Sequence, residues 1–228
     1  MFRLLSTLAC AVLLLSGCNR TYLINNAVKS SEIKSFAYFE PLASVSYIAQ
    51  KNQAIHSDSL SKVARTVLDS VIQINPVFKS GNKIILADDA HQHAINEELK
   101  LLFNKLLTSK KIEGIKIPPA VDSAMKSNGQ RFAFATAVTG FDRRAGNYAG
   151  QIAKGIGVGI LTLGMYTPVP YKSIISLYGM ILDRETGEAI FSNRTLPYEK
   201  SPTNKKIVEK KYKALLKPYM SEQQLATK

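Results

Sequence analysis

Asp88, Asp89, His91, His93 and Glu97 gather metal-ligating side chains within ten residues of this 228-residue chain. If a helix begins near Ala90, His93 and Glu97 stand at i and i+4, a spacing at which an imidazole and a carboxylate share one divalent cation. His91 and His93 face different sides of any such helix, however, and the HExxH arrangement of zinc peptidases is missing. Asp88 or Asp89 also reads as a helix N-cap, worth about 1 kcal/mol. The spacing therefore points to no metal site. Acid pairs occur at Glu97-Glu98 and at Asp183 with Glu185, but the first opens a helix and the second tips a hairpin. Neither lies in the apolar surroundings that glycoside hydrolysis needs. No GxSxG elbow is present, and His56 lies in a polar stretch. We read no catalytic residue, no cofactor and no enzyme; a cell-wall hydrolase is the distant alternative.

The cysteine at position 18 offers a different chemistry. Arg3 is followed by an apolar run from Leu4 to Leu15, then Ser16, Gly17 and Cys18. The run is too short for a bilayer-spanning helix of roughly 20 residues and has the layout of a secretory signal peptide. Its end resembles the bacterial lipobox, in which a peptidase cuts before a cysteine whose sulfur carries diacylglycerol and whose amine is acylated. The expectation is a signal peptide over residues 1–17, a lipid-anchored tether over 18–30 and one domain over 31–228. The partner of Cys18 is then a lipid bilayer in the cell envelope, with the outer membrane facing the periplasm as the expected location. Cys10 leaves with the signal and Cys18 is capped, so no disulfide is available and the fold must rest on its core.

Thirty basic against seventeen acidic residues give a net charge of +13. Such an excess favours anionic partners, namely lipid headgroups, lipopolysaccharide phosphates or peptidoglycan carboxylates, and the expected partner is an unidentified envelope protein or an anionic cell-wall polymer. Nucleic acid is not expected, because no aromatic-interleaved basic module is present.

The stretch from 149 to 170, "AGQIAKGIGVGILTLGMYTPVP", alternates glycine with Ile156, Val158 and Ile160. It fails the dinucleotide fingerprint, since Ile160 stands where a third glycine belongs, and no P-loop Lys-Ser/Thr follows. As a strand or as a helix, its small residues make room for close packing.

The positioning elements follow from period and punctuation. Phe36 and Tyr38 begin a strand interrupted or ended near Pro41. Ser57 or Asp58 caps a helix whose apolar face is Leu60, Val63, Ala64, Val67, Leu68 and Val71, ended by Asn75-Pro76. Ile84–Ala87 reads as a short buried strand. A second helix aligns Ile95, Leu99, Leu102, Phe103 and Leu106, with acids early and lysines late. Pro118-Pro119 opens a third, through Met125, that stops at Asn128-Gly129. "RFAFATAVTGF" is a strand, and two apolar runs flank a turn over residues 183–187, where Gly187 supplies positive φ. The last helix carries Ile207, Val208, Tyr212 and Leu215 on one face. Lys205, Lys206, Lys210, Lys211, Lys213 and Lys217 are its candidate contacts with an anionic surface or partner, and equally a solvated face. The class is α+β, a single domain with a mixed sheet of about four to six strands and three to four helices.

In element order over residues 31 to 217, the chain resembles the periplasmic α/β domain shared by envelope lipoproteins. That family includes the curli-secretion lipoprotein, activators of penicillin-binding proteins and the amino-terminal domain of TolB-type proteins. The hairpin carries the resemblance, through Asp183, Thr186, Gly187, Glu188 and Phe191. The resemblance implies a non-catalytic, membrane-tethered domain that docks onto another envelope component or onto itself, and it brings no catalytic residues. The glycine-rich stretch and the basic last helix depart from the pattern. The expected function is a binding or assembly module, with a subunit of an oligomeric secretion pore as the alternative and a homo-oligomer therefore possible.

Overall fold

Along "FAFATAVTGFDR" the residue size alternates: Phe132, Phe134 and Val138 point to one side, Ala133, Ala135 and Ala137 to the other. That alternation makes Phe132–Arg143 (β5) the strand on which both layers of helices are built. The computed structural model describes residues 22–25, 28, 32–33, 36–49, 53–75, 82–86, 88–143 and 171–226. The remaining strands are β1 (Tyr22–Ile24), β2 (Ala37–Tyr38), β3 (Leu42–Ile48), β4 (Ala54–His56), β6 (Ser173–Asp183) and β7 (Glu188–Arg194). The helices are α1 (Asp58–Ile74), α2 (Asp89–Thr108), α3 (Pro119–Ser127) and α4 (Lys205–Ala226).

One mixed sheet runs in the order β1-β7-β6-β5-β3-β4, with β2 also on β5. β5, β6 and β7 form an antiparallel meander, whereas β2 and β3 pair with β5 in parallel. β2 and β3 are one strand interrupted at Pro41, as the sequence predicts, since proline has no N–H for the ladder. The class is α+β, and the sheet's seven strands include three of only two or three residues.

The bulky face of β5, with Ile175, Leu177, Ile181 and Phe191, is covered by α1 and α4. The alanine face, with Met180 and Leu182, is covered by α2 and α3. Small residues there leave depth for Leu99, Leu102, Phe103 and Leu106 of α2, all buried as their spacing predicts. Ser57 caps α1 by accepting from the Leu60 amide at 3.3 Å. The buried face of α1 is turned from the predicted one: Ser61 and Ile72 are buried while Val63 is exposed. The cause is polar, because Ser61 Oγ accepts the Val45 amide at 2.9 Å and ties α1 to β3. Glu98 of α2 accepts from the Ala120 and Val121 amides at 2.8 and 3.0 Å, supplying the cap that Pro118 cannot give α3.

Two expectations change. Tyr22–Ile24, inside the stretch read as tether, instead forms the edge strand β1, Tyr22 opposite Asn193 and Ile24 opposite Phe191. Tyr22 and Ile24 pack toward the α1/α4 core and Leu23 toward the other, so three residues suffice for a rung. Residues 84–86 are not a strand; Lys83 alone bridges to Tyr38. The Asn128 side chain takes the place of a neighbouring strand, accepting the Ile85 amide and donating to its carbonyl, both at 2.9 Å. Helix α4 runs through Pro218 to Ala226. Ala214, whose carbonyl loses its helical donor to that proline, is exposed to solvent.

Candidate functional site

α4 begins after a polar turn in which Ser201 Oγ donates to Asp142 at 2.7 Å and Asn204 Oδ1 accepts the Ile207 amide at 3.2 Å. Val208, Tyr212, Leu215, Leu216 and Tyr219 are then buried against the sheet. Burying each large apolar side chain contributes about 1.5–3 kcal/mol, so one face of the helix is fixed. Tyr212 packs edge-on to Phe134, and burial pushes its phenol far above the usual range. It stays a neutral hydroxyl.

With one face fixed, the helical repeat sorts the six predicted lysines. Lys206, Lys210, Lys213 and Lys217 follow at intervals of four, three and four, which places them in one stripe opposite the buried face. All four are exposed. Like charges at such spacing cost only about 0.2–0.5 kcal/mol per pair, far less than the burial behind them, so the fold holds the stripe in place. Glu209 flanks it and accepts from Lys213 at 2.7 Å, which holds the Glu209 carboxyl below its ordinary value. The other two lysines stand apart. Lys211 is turned aside: its ammonium donates to the Leu196 carbonyl at 3.0 Å and lies 4.6 Å from the Tyr198 ring. Burial, then the neighbouring Lys210 charge, lowers its pKa. Lys205 sits on the first turn, off the stripe and exposed. Cys18 and the glycine-rich stretch 149–170 lie outside the described residues.

The remaining titratable groups act as struts. Asp88 is the N-cap of α2: Oδ1 accepts the His91 amide and meets Nδ1, both at 2.8 Å, which lowers the Asp88 pKa. Glu97 accepts from Lys100 at 2.6 Å. Among the described residues no three potential ligands converge on a metal position. Lys83 Nζ stands 3.3 Å from Glu40 and 3.5 Å from Asp69. Burial pulls its pKa down, but those carboxylates outweigh it and hold the ammonium above its usual range. Tyr38 beside it is raised, first by burial. A fully protonated lysine and a neutral phenol make a brace between β2 and α1, not a base.

No protein-family model matches the chain, and no curated protein does. Among solved structures the chain is similar to the PelC dodecamer from Paraburkholderia phytofirmans, at 9% identity and a TM-score of 0.37 over 87% of this chain and 94% of that one. A single-substitution variant of that dodecamer matches at 8% identity, 0.37, and 87% and 98% coverage. The LpoB C-terminal domain from Salmonella enterica matches at 10% identity, 0.31, and 77% and 87% coverage. At such scores no residue correspondence follows.

A feature absent from the sequence reading is a cleft of about 430 Å³ between α2 and the sheet, lined mainly by Leu42, Phe103, Leu107, Ala137 and Tyr178. A smaller hollow of about 80 Å³ shares Phe103, Leu107 and Tyr178. The signal was the run of alanines on β5, which makes depth on this face, but how far α2 covers it depends on tertiary packing.

Proposed function

We propose that the chain is an envelope lipoprotein, held in a bilayer by acylated Cys18, whose α+β domain is a non-catalytic module binding an anionic cell-wall polymer along α4. The observation that carries this reading is the stripe of Lys206, Lys210, Lys213 and Lys217, mounted on a helix whose other face is locked into the core. Eleven residues at 1.5 Å each spread the four ammoniums over roughly 17 Å, a linear array that suits a chain of carboxylates or phosphates. The anchor keeps the domain at the membrane, so a weak contact is occupied.

Two measurements test it. Mass spectrometry of the mature protein reads the acyl chains on Cys18. Co-sedimentation of the Cys18→Ser chain with purified anionic wall polymer reads the stripe. Binding should fall with added salt and be lost when Lys206, Lys210, Lys213 and Lys217 are all changed to Glu, with the fold intact. Equal binding by that variant refutes the assignment of the stripe.

A further inference from the structure

The N-terminal strand fixes where the domain stands relative to its anchor. Tyr22 is the fourth residue after Cys18 and is already paired with Asn193 in the sheet. Four Cα steps reach at most roughly 14 Å, so there is no long tether. β1 runs antiparallel to β7, so its first residue, Tyr22, is the one nearest Arg194, the last residue of β7. Arg194 stands opposite Tyr178, and β6 runs on in the same direction for five more residues to Ser173, beside the Arg143 end of β5. The segment after β7 crosses this end: Tyr198 bridges to Ile175, Glu199 accepts the Lys172 amide, and Ser201 reaches Asp142.

That end is also where apolar surface is left open. Leu196 is 67% exposed, Tyr171 54% and Tyr198 38%. Tyr47 and Ile55, also exposed, face one another across β3 and β4 at this end too. Five of the ten exposed large apolar side chains among the described residues therefore lie toward this end, in two groups on opposite sides of β5. Cations surround the group of Tyr171, Leu196 and Tyr198: Lys172, Arg194 and Lys200 are exposed, and the ammoniums of Lys210 and Lys211 stand 5.9 and 4.6 Å from the Tyr198 ring. Tyrosines with lysine and arginine around them are the chemistry of a membrane interface, where rings sit at headgroup depth and cations meet anionic phosphates.

We propose that this end of the sheet, centred on Tyr171, Leu196 and Tyr198, docks onto the anionic surface of the same bilayer that holds Cys18. The inference rests on the acylated Cys18 of the proposed function. The lipid chains supply the affinity; the face supplies orientation, standing the strands on the membrane with the Phe132 end of β5 roughly 36 Å away. A contact too weak to hold the domain from solution is populated once the tether is this short.

The chain contains no tryptophan, so one introduced indole reports its own surroundings. Acylated full-length protein carrying Leu196→Trp, or Ile85→Trp as the control, is reconstituted into vesicles of anionic phospholipid with brominated acyl chains. Ile85 is 79% exposed and lies at the opposite end, held by Asn128. The expected result is a blue-shifted Leu196→Trp emission, quenched several-fold more than that of Ile85→Trp. Adding Lys172→Glu, Arg194→Glu and Lys200→Glu should bring that quenching down toward the control. Equal, weak quenching at both positions would overturn the inference. So would a blue-shifted Leu196→Trp that bromine does not reach, because protein would then cover the face. Mass spectrometry of the same samples separates the two failures. An unmodified Cys18 removes both the lipoprotein reading and this one, whereas an acylated Cys18 with an unquenched Leu196→Trp removes only the docking face.

Discussion

Gly179 determines how closely α4 lies on the sheet. A Cβ built there would stand 2.8 Å from Leu215 Cδ2 and 3.1 and 3.2 Å from two ring carbons of Phe134. Leu215 is 1% exposed and Phe134 is fully buried, so neither has an open rotamer to move into. Adding a methyl to such a site costs about 1–3 kcal/mol. Loss of glycine's freedom in the unfolded chain offsets about 0.4–1 kcal/mol of that. Gly179→Ala should therefore destabilise by about 1–2 kcal/mol. Leu215→Ala alone empties the space above and should cost about 2–5 kcal/mol. In the double variant the new Cβ occupies space that Leu215 has vacated, so the combined loss should fall short of the sum by about 1–2 kcal/mol. Urea unfolding of the Cys18→Ser chain measures all four corners, with an unchanged m-value showing that midpoint shifts report stability. Independent sites add to within about 0.5 kcal/mol. Additivity within that limit, or a Gly179→Ala chain as stable as its parent, would refute close seating of α4 on β6.

Three further outcomes follow from single contacts. Glu98→Ala should cost about 0.5–2 kcal/mol in urea unfolding, since it frees the Ala120 and Val121 amides at the start of α3, and Glu98→Gln should cost less because an acceptor remains. Asn128→Asp sets a carboxylate oxygen against the Ile85 carbonyl, so amide exchange at Ile85 should speed up while the core amides of α2 keep their protection. The Lys116 ammonium, then the Gly114 amide, hold the Glu188 carboxyl below its ordinary 4.5. The folded chain therefore binds fewer protons than the unfolded chain in that range; the stabilisation is complete above the ordinary value and is lost as pH falls through the folded one. Between roughly pH 5 and pH 3, the thermal midpoint of Glu188→Gln should fall less than that of the parent.

Much of the fold was legible because local chemistry and tertiary structure agree. The period of Ile95, Leu99, Leu102, Phe103 and Leu106 alone places α2, and Gly187, at φ 68°, makes the hairpin turn its sequence announces. The failures share a cause: the deciding partner is distant in sequence. β1 exists because β7 offers an edge, and β4 is three exposed residues on β3. Residues 84–86 look like a strand until Asn128, more than forty residues on, satisfies Ile85. Val63 belongs to an apolar row, but the Ser61 hydroxyl decides which side of α1 is inward. The lysines of α4 were identified as a set; dividing them into a stripe and the inward-turned Lys211 required Leu196 and Tyr198.

The hairpin motif that carries the family resemblance is committed to holding the fold. Asp183 is fully buried and accepts from the Arg131 Nε at 3.0 Å and from the Glu185 amide at 3.0 Å, while its carbonyl accepts the Thr186 hydroxyl at 3.2 Å. Arg131 also pairs with Glu185 and stacks 4.6 Å from the Phe132 ring, so one guanidinium locks the start of β5 to the β6–β7 turn. Glu188 accepts from Lys116 at 2.8 Å and from the Gly114 amide at 3.2 Å, tying the loop before α3 to β7. Every polar group of the motif is thus engaged inside the domain. A buried carboxylate with its cation is strongly destabilising to break, so in this chain these residues serve the hairpin whatever the domain binds. Likeness at those positions is therefore a statement about architecture. Partner choice must be written in residues the architecture does not need, and the candidates proposed above, the outward lysines of α4 and the open, basic end of the sheet at Tyr171, Leu196 and Tyr198, are of that kind.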